Sequence, residues 1–177
     1  IGDKEGIANA LNPKSPSTVE HINSSQSGQK IRLRVTGFEP PIINQVKTEE
    51  EEEEENEREE RRRHFTTYVA SELFRYQKNT NLVFPNSRDI VEDLADAGNQ
   101  LCNQKNVDRT FFAHHGFLSK EIREDIEVNA RKGEQTMTIC CTSTLELGID
   151  LGSVDTVFQI TAPFNVSSLR QRLGRSG

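Results

Sequence analysis

From Asn81 to Arg172 short apolar runs alternate with longer amphipathic stretches, and that alternation leaves few folds open. Asn81-Leu82-Val83-Phe84 ends at Pro85 and reads as a buried strand. Asn86 or Ser87 can cap the helix that follows, in which Ile90, Val91, Leu94, Ala97 and Leu101 form one apolar stripe. Thr110-Phe111-Phe112-Ala113 reads as a second strand, followed by a turn at Gly116. Ser119 can cap a charged helix with Ile122, Ile126 and Ala130 facing inward, and Gly133 closes it. Met137 to Cys141 is a third strand and Val154 to Ile160 a fourth, and Ser167 or Ser168 opens a last helix. Continuous apolar strands separated by helices predict a doubly wound parallel sheet with helices on both faces, an α/β fold. Ligands of such sheets sit beyond the carboxyl ends of the strands. The loops to watch are therefore Pro85–Arg88, His114–Gly116, Thr142–Asp150 and Ala162–Ser168.

The chain before Asn81 is less regular. Residues 1–30 are rich in Gly, Asn, Ser and Pro, with a weak helical pattern at Ile7, Ala8 and Leu11 that Pro13 to Pro16 break. Ile31-Arg32-Leu33-Arg34-Val35 alternates like a strand with one wet face. Glu49 to Arg63 holds ten Glu and four Arg, a net charge of −6 that equals the charge of all 177 residues. The acidic balance thus reports one segment and neither argues for nor excludes a polyanionic partner. Residues 49–60 are expected to be a solvated or disordered insertion. The run merges into a helical pattern in which Phe65, Val69, Leu73 and Tyr76 share a face. Hydrophobic residues are 33% of the chain, lean for a domain, so part of it lies outside any core.

Several classes fall away. No stretch approaches the roughly 18 apolar residues of a membrane span, and no signal peptide opens the chain. Three Cys, two of them adjacent at Cys140 and Cys141 in an apolar run, read as buried reduced thiols and fit a cytoplasmic setting. The chain opens without Met and stops at Gly177 inside a motif, as expected of a piece of a longer protein.

Four segments carry chemistry. Gln171-Arg172-Leu173-Gly174-Arg175-Ser176-Gly177 places an Arg after a Gly at a helix end, where its planar fork can reach a phosphate across an interface; the plainer reading is a solvated surface helix. Thr142-Ser143-Thr144 follows a buried strand and offers hydroxyls and backbone N–H groups to a phosphate. Beyond it, Gly148 permits a tight backbone and Asp150 could accept from a ribose hydroxyl. The plainer reading of that segment is hydroxyl capping, with Asp150 making a turn. Ser87 and Arg88 put a hydroxyl and a cation at a helix N-terminus. His114-His115 lacks Cys or carboxylate at ligand spacing, so no metal is expected.

In order, LVFPNSR, HHGFLSKEIRE, TSTLELGIDLGSVDTV and QRLGRSG resemble motifs IV to VI of superfamily 2 helicases. They are similar in particular to the carboxy-terminal RecA-like lobe of the Lhr-like group of DEAD/DEAH-box proteins, over about Asn81–Gly177. The resemblance implies that Ser87, Arg88, Gly116 and Thr142 grip the backbone of a tracked strand. It implies that Gly148 and Asp150 link strand contact to the nucleotide, and that Gln171 and Arg175 face ATP, with Arg175 as an arginine finger. His115 is common in the motif and is given no chemistry. Residues 1–30 would be the end of a first lobe and a linker, and residues 31–177 the second lobe, cut inside motif VI.

The acidic run departs from the family pattern. The chain also lacks a Gly-x-x-x-x-Gly-Lys-Ser/Thr loop and an Asp-Glu box. ATP and Mg²⁺ would then be held mainly by an amino-terminal RecA-like lobe acting in cis, and this piece alone is expected to be inactive. The expected partner is single-stranded or duplex nucleic acid, DNA favoured over RNA. The alternatives are a helicase-like binding or scaffold module without motor activity, and a nucleotide-binding α/β domain of other chemistry, whose Gly-x-Gly-x-x-Gly fingerprint is absent.

Overall fold

The computed structural model describes Asn9, Lys14 and residues 32–37, 52–146 and 150–175, with side chains in the first helix from Asn56 onward. The chain divides into two compact units, Ile1–Arg32 and Leu33–Gly177, and the second carries the fold. Its elements are α1 (Glu52–Phe74), β1 (Asn81–Phe84), α2 (Arg88–Lys105), β2 (Phe111–His114), α3 (Lys120–Lys132), β3 (Thr138–Cys141), a 3₁₀ turn (Ser143–Leu145), β4 (Thr156–Gln159) and α4 (Val166–Leu173). The four strands form one sheet in the order β2-β3-β1-β4, every pair parallel. This is the expected α/β sheet.

Alternate residues of the central strands divide the core in two. Leu82, Phe84, Ile139 and Cys141 pack with Ile126 and Ala130 of α3 and with Leu145, Leu151 and Val154. Val83, Cys140 and Phe111 pack instead with Val91, Leu94 and Cys102 of α2 and Val69, Ala70 and Leu73 of α1. Helices therefore cover both faces, as the period-2 alternation of a strand requires when each face is apolar. Ser87 caps α2 and Ser119 caps α3, each Oγ accepting from a backbone N–H at 3.3 Å. Gly133 ends α3 with φ +64°, a left-handed position that suits glycine. Asn99 of α2 closes one edge of the sheet: its amide donates to the Phe111 carbonyl at 2.8 Å and accepts from the Phe111 N–H at 3.3 Å, replacing a missing neighbour strand.

Some expectations need correction. Glu52–Glu60 are not disordered: they form the first turns of α1. Glu is a good helix former, Glu57 pairs with Arg61 at 3.2 Å and Glu60 with His64 at 3.8 Å, and the run extends a helix already nucleated by the packing of Thr66 to Leu73. Residues 32–37 form no strand, and Leu33 and Val35 are 77% and 87% exposed. An alternating pattern makes a strand only where a sheet edge receives it. Ile122, expected inside, is half exposed, because the buried stripe of α3 is only Ile126 and Ala130. The last helix is capped by Asn165, whose side chain accepts from the Ser168 N–H at 2.8 Å. Ile7, Ala8 and Leu11 of the expected helical pattern, Ile31, residues 49–51 and Gly148 lie outside the described residues.

Candidate nucleic-acid and nucleotide interface

Because all four strands run in parallel, Pro85, His115, Thr142 and Ile160 each leave the sheet at its carboxyl edge. Three of the strand-gripping candidates sit in these exits. Ser87 spends an Oγ lone pair on capping α2, which leaves its O–H to donate outward. Arg88, the first helical residue, is half exposed and pairs with Asp89 at 3.4 Å and Glu92 at 3.9 Å. Gly116 is exposed, and a Cβ there would meet no atom within 4 Å, so the backbone of this turn stands open. Thr142 is half-buried, its backbone N–H donating to the His114 carbonyl at 3.3 Å. It occupies the cap position of the 3₁₀ turn without making a side-chain cap bond, so the capping alternative does not describe its hydroxyl.

The two histidines lie under this edge. His114 is fully buried, with Nε2 2.9 Å from Glu127 and Nδ1 2.9 Å from the Thr144 hydroxyl. Burial pulls its pKa below the ordinary value, against the opposing pull of the Glu127 carboxylate. The ring thereby ties α3 to the turn that holds Thr142. His115 is buried too, its Nε2 3.0 Å from Glu92 but not aligned for a hydrogen bond. Among the described residues no group of three or more His, Cys, Asp or Glu is arranged to hold a metal ion.

At the nucleotide-facing candidates the decisive residue is one that sequence reasoning passed over. Arg172 of α4 is 3% exposed and forms a buried ion pair with Glu146, which follows the 3₁₀ turn. Its Nε donates to Glu146 Oε1 at 2.8 Å, its Nη1 to Gln159 Oε1 at 2.5 Å, and its guanidinium lies 4.9 Å from the centre of the Phe84 ring. Three N–H donors directed at oxygens, with one aromatic face alongside, compensate a charge that the core could not otherwise hold. Arg175 is half-buried, and its Nε and Nη2 donate to the Glu146 carbonyl at 3.3 and 3.0 Å. Glu146 therefore holds Arg172 by its carboxylate and Arg175 by its backbone. Gln171 is exposed on α4, four residues before Arg175. Asp150 is exposed: Oδ1 accepts from the Gly152 N–H at 3.0 Å, and Oδ2 lies 3.8 Å from Arg131 Nε. It makes the turn that the plainer reading foresaw. A signal for Arg172 was present: it shares a helix face with Leu169, and Glu146 follows the apolar Leu145, two opposite charges in apolar surroundings.

The cysteines stand apart from this chemistry. Cys140 and Cys141 are fully buried, and desolvation pushes the Cys140 thiol up to about 12 and the Cys141 thiol well above its ordinary value. Both stay protonated and unreactive at neutral pH. No described helix is long and apolar enough to cross a membrane.

Residues 52–177 match the helicase conserved C-terminal domain family. The chain belongs to that family. It is 41% identical over 100 residues to the ATP-dependent helicase Lhr-Core of Saccharolobus solfataricus, covering 55% of this chain and 11% of that protein. Among solved structures it resembles the Mycobacterium smegmatis helicase Lhr bound to ssDNA and AMP-PNP, at 35% identity and TM-score 0.56, covering 64% of this chain and 15% of that one. It also resembles the DUF1998 helicase MrfA bound to DNA, at 27% identity and TM-score 0.57, covering 63% of this chain and 15% of that one. The fold is thus RecA-like, and the chain is a superfamily 2 helicase carboxy-terminal lobe of the Lhr-like group. It spans about a tenth of the length of the curated relatives it matches.

Proposed function

We propose that this helicase C-terminal domain is the second motor lobe of an ATP-dependent helicase or translocase. Ser87, Arg88, Gly116 and Thr142 hold the phosphate backbone of a single strand. Gln171 and Arg175 serve ATP bound mainly, with Mg²⁺, on an amino-terminal lobe in cis; Gly148 and Asp150 link strand contact to the nucleotide. The observation that carries this reading is the buried pair of Arg172 and Glu146, which fastens α4 to the 3₁₀ turn. Through it the turn that begins at Thr142 and the end of α4 move as one piece, so a change at the nucleotide side reaches the strand side without slack. The candidate set also fits an anion: Arg175 and Gln171 bring N–H donors to the end of α4. When bound, the nucleotide would supply the free energy for opening and closing of two lobes. DNA is favoured over RNA as the track, since the Lhr and MrfA structures are described as bound to ssDNA and DNA.

A phosphate grip is independent of sequence and sensitive to salt, with log affinity falling by about 0.7 per contact for each decade of salt on single strands. Thr142→Val removes a hydroxyl and keeps the shape. In the protein that carries this lobe, single-strand affinity is expected to fall about tenfold or more, and strand stimulation of ATP turnover to be lost. Unchanged strand-stimulated turnover would remove Thr142 from the grip.

A second reading has an observation in its favour. Arg175 donates to a carbonyl of its own lobe, as it would in a helicase-like binding or scaffold module that turns over no nucleotide. Turnover in Arg175 variants separates the two.

A further inference from the structure

We propose that Phe117 stacks against a nucleobase of the bound single strand, an uncharged hold beside the phosphate contacts. The inference rests on the strand-binding reading above and adds to it a contact that reading does not contain. Phe117 is 82% exposed, an unusual position for a side chain that gains so much from burial. Its place is not that of a loose loop tip. The Leu118 N–H donates to the His115 carbonyl at 3.1 Å, closing a tight turn over Gly116 and Phe117, and Ser119 caps α3 immediately afterwards. The Arg88 guanidinium lies over the Phe117 ring, 4.8 Å from its centre. One ring face is thus taken by a cation, while the exposure of the side chain leaves the rest of the ring to solvent.

Topology says what lies beneath. Arg88 follows β1 and Phe117 follows β2, and β3 runs between them in the sheet. Strands lie about 4.8 Å apart, so the Arg88–Phe117 contact spans roughly 10 Å over the end of β3, where Thr142 begins its turn. A strand laid along Ser87, Gly116 and Thr142 passes beside this aromatic.

Charge points the same way. Arg88 is already shared by the Asp89 and Glu92 carboxylates, and Glu92 also faces His115 Nε2. An incoming phosphate must compete with two carboxylates for one guanidinium. A base does not, because stacking needs only a π-face, and a cation behind the ring strengthens the assembly.

The test uses the protein that carries this lobe, a labelled twelve-nucleotide thymidylate strand and the same strand built with abasic sites. Phe117→Ala is expected to weaken binding to thymidylate about 5- to 100-fold, the range of one base–aromatic contact. The salt dependence should stay as in the parent, because no ionic contact is removed. On the abasic strand parent and variant should bind alike, and Phe117→Trp should restore the thymidylate affinity. Equal binding of parent and Phe117→Ala to thymidylate overturns the proposal, as does a loss of the same size on the abasic strand. If the parent binds neither strand, the strand-binding reading itself fails, which is a separate and visible result. The exposed side chain adds little to the core, and an unchanged thermal melt of Phe117→Ala confirms that the variant is folded.

Discussion

Arg175→Ala, made in the protein that carries this lobe, is expected to lower ATP turnover by about 10³- to 10⁵-fold while single-strand affinity stays within about threefold. The asymmetry follows from where charge develops. A guanidinium serving a transferring phosphoryl group stabilises the transition state and adds little to the ground state. The residues proposed to hold the strand lie where β1, β2 and β3 leave the sheet, whereas Arg175 lies beyond α4. The side chain donates two N–H groups to a carbonyl of a turn also held by Arg172, so its loss should disturb the fold by about 1–3 kcal/mol and leave the lobe folded. Arg175→Lys should not rescue turnover, since an ammonium lacks the planar fork. Turnover surviving within a few-fold in the alanine variant would favour the scaffold reading.

Arg172→Ala should be the most destabilising single change in the lobe's carboxyl edge, about 3–5 kcal/mol by urea unfolding. The reason is what it leaves behind. Glu146 is 9% exposed, and the change removes the guanidinium that pairs with its buried carboxylate. Gln159 loses a partner at the same time. The double variant Glu146→Leu with Arg172→Met removes both charges and keeps the volume, and should unfold within about 1–2 kcal/mol of the parent. Equal instability of the single and double variants would show that packing, not the stranded charge, dominates here.

The parts of the fold that were legible are those where one physical effect dominates. Asn81–Phe84 is buried on both faces and ends at a proline, and it forms the predicted strand residue for residue. Asn86 or Ser87, Ser119 and Gly133 read as helix boundaries because their side chains or lack of one suit those positions, and the boundaries are Ser87, Ser119 and Gly133. Boundaries blurred where the hydrogen-bond ladder outruns the regular strand: Thr110 was read into β2, and its carbonyl does accept from Thr138 at 2.7 Å, one residue before the strand begins. The helix in the acidic run is hidden because composition speaks for solvation, while helix formation there depends on helix-forming Glu, on the Glu57–Arg61 pair and on a packed continuation. At the site, ordered motifs located the edge but not its internal wiring. An Arg in a basic helix reads as surface until its carboxylate partner, 26 residues earlier, is known to lie beside it.

The central claim is that this lobe completes a nucleotide site whose other half lies on a second lobe. ATP turnover should be measured for three samples with and without single-stranded DNA: this chain alone, the amino-terminal lobe alone, and the two joined. Turnover stimulated by the strand is expected only in the joined protein, and it is expected to be lost there with Arg175→Ala. Turnover by this chain alone, or a joined protein indifferent to Arg175, would contradict the claim.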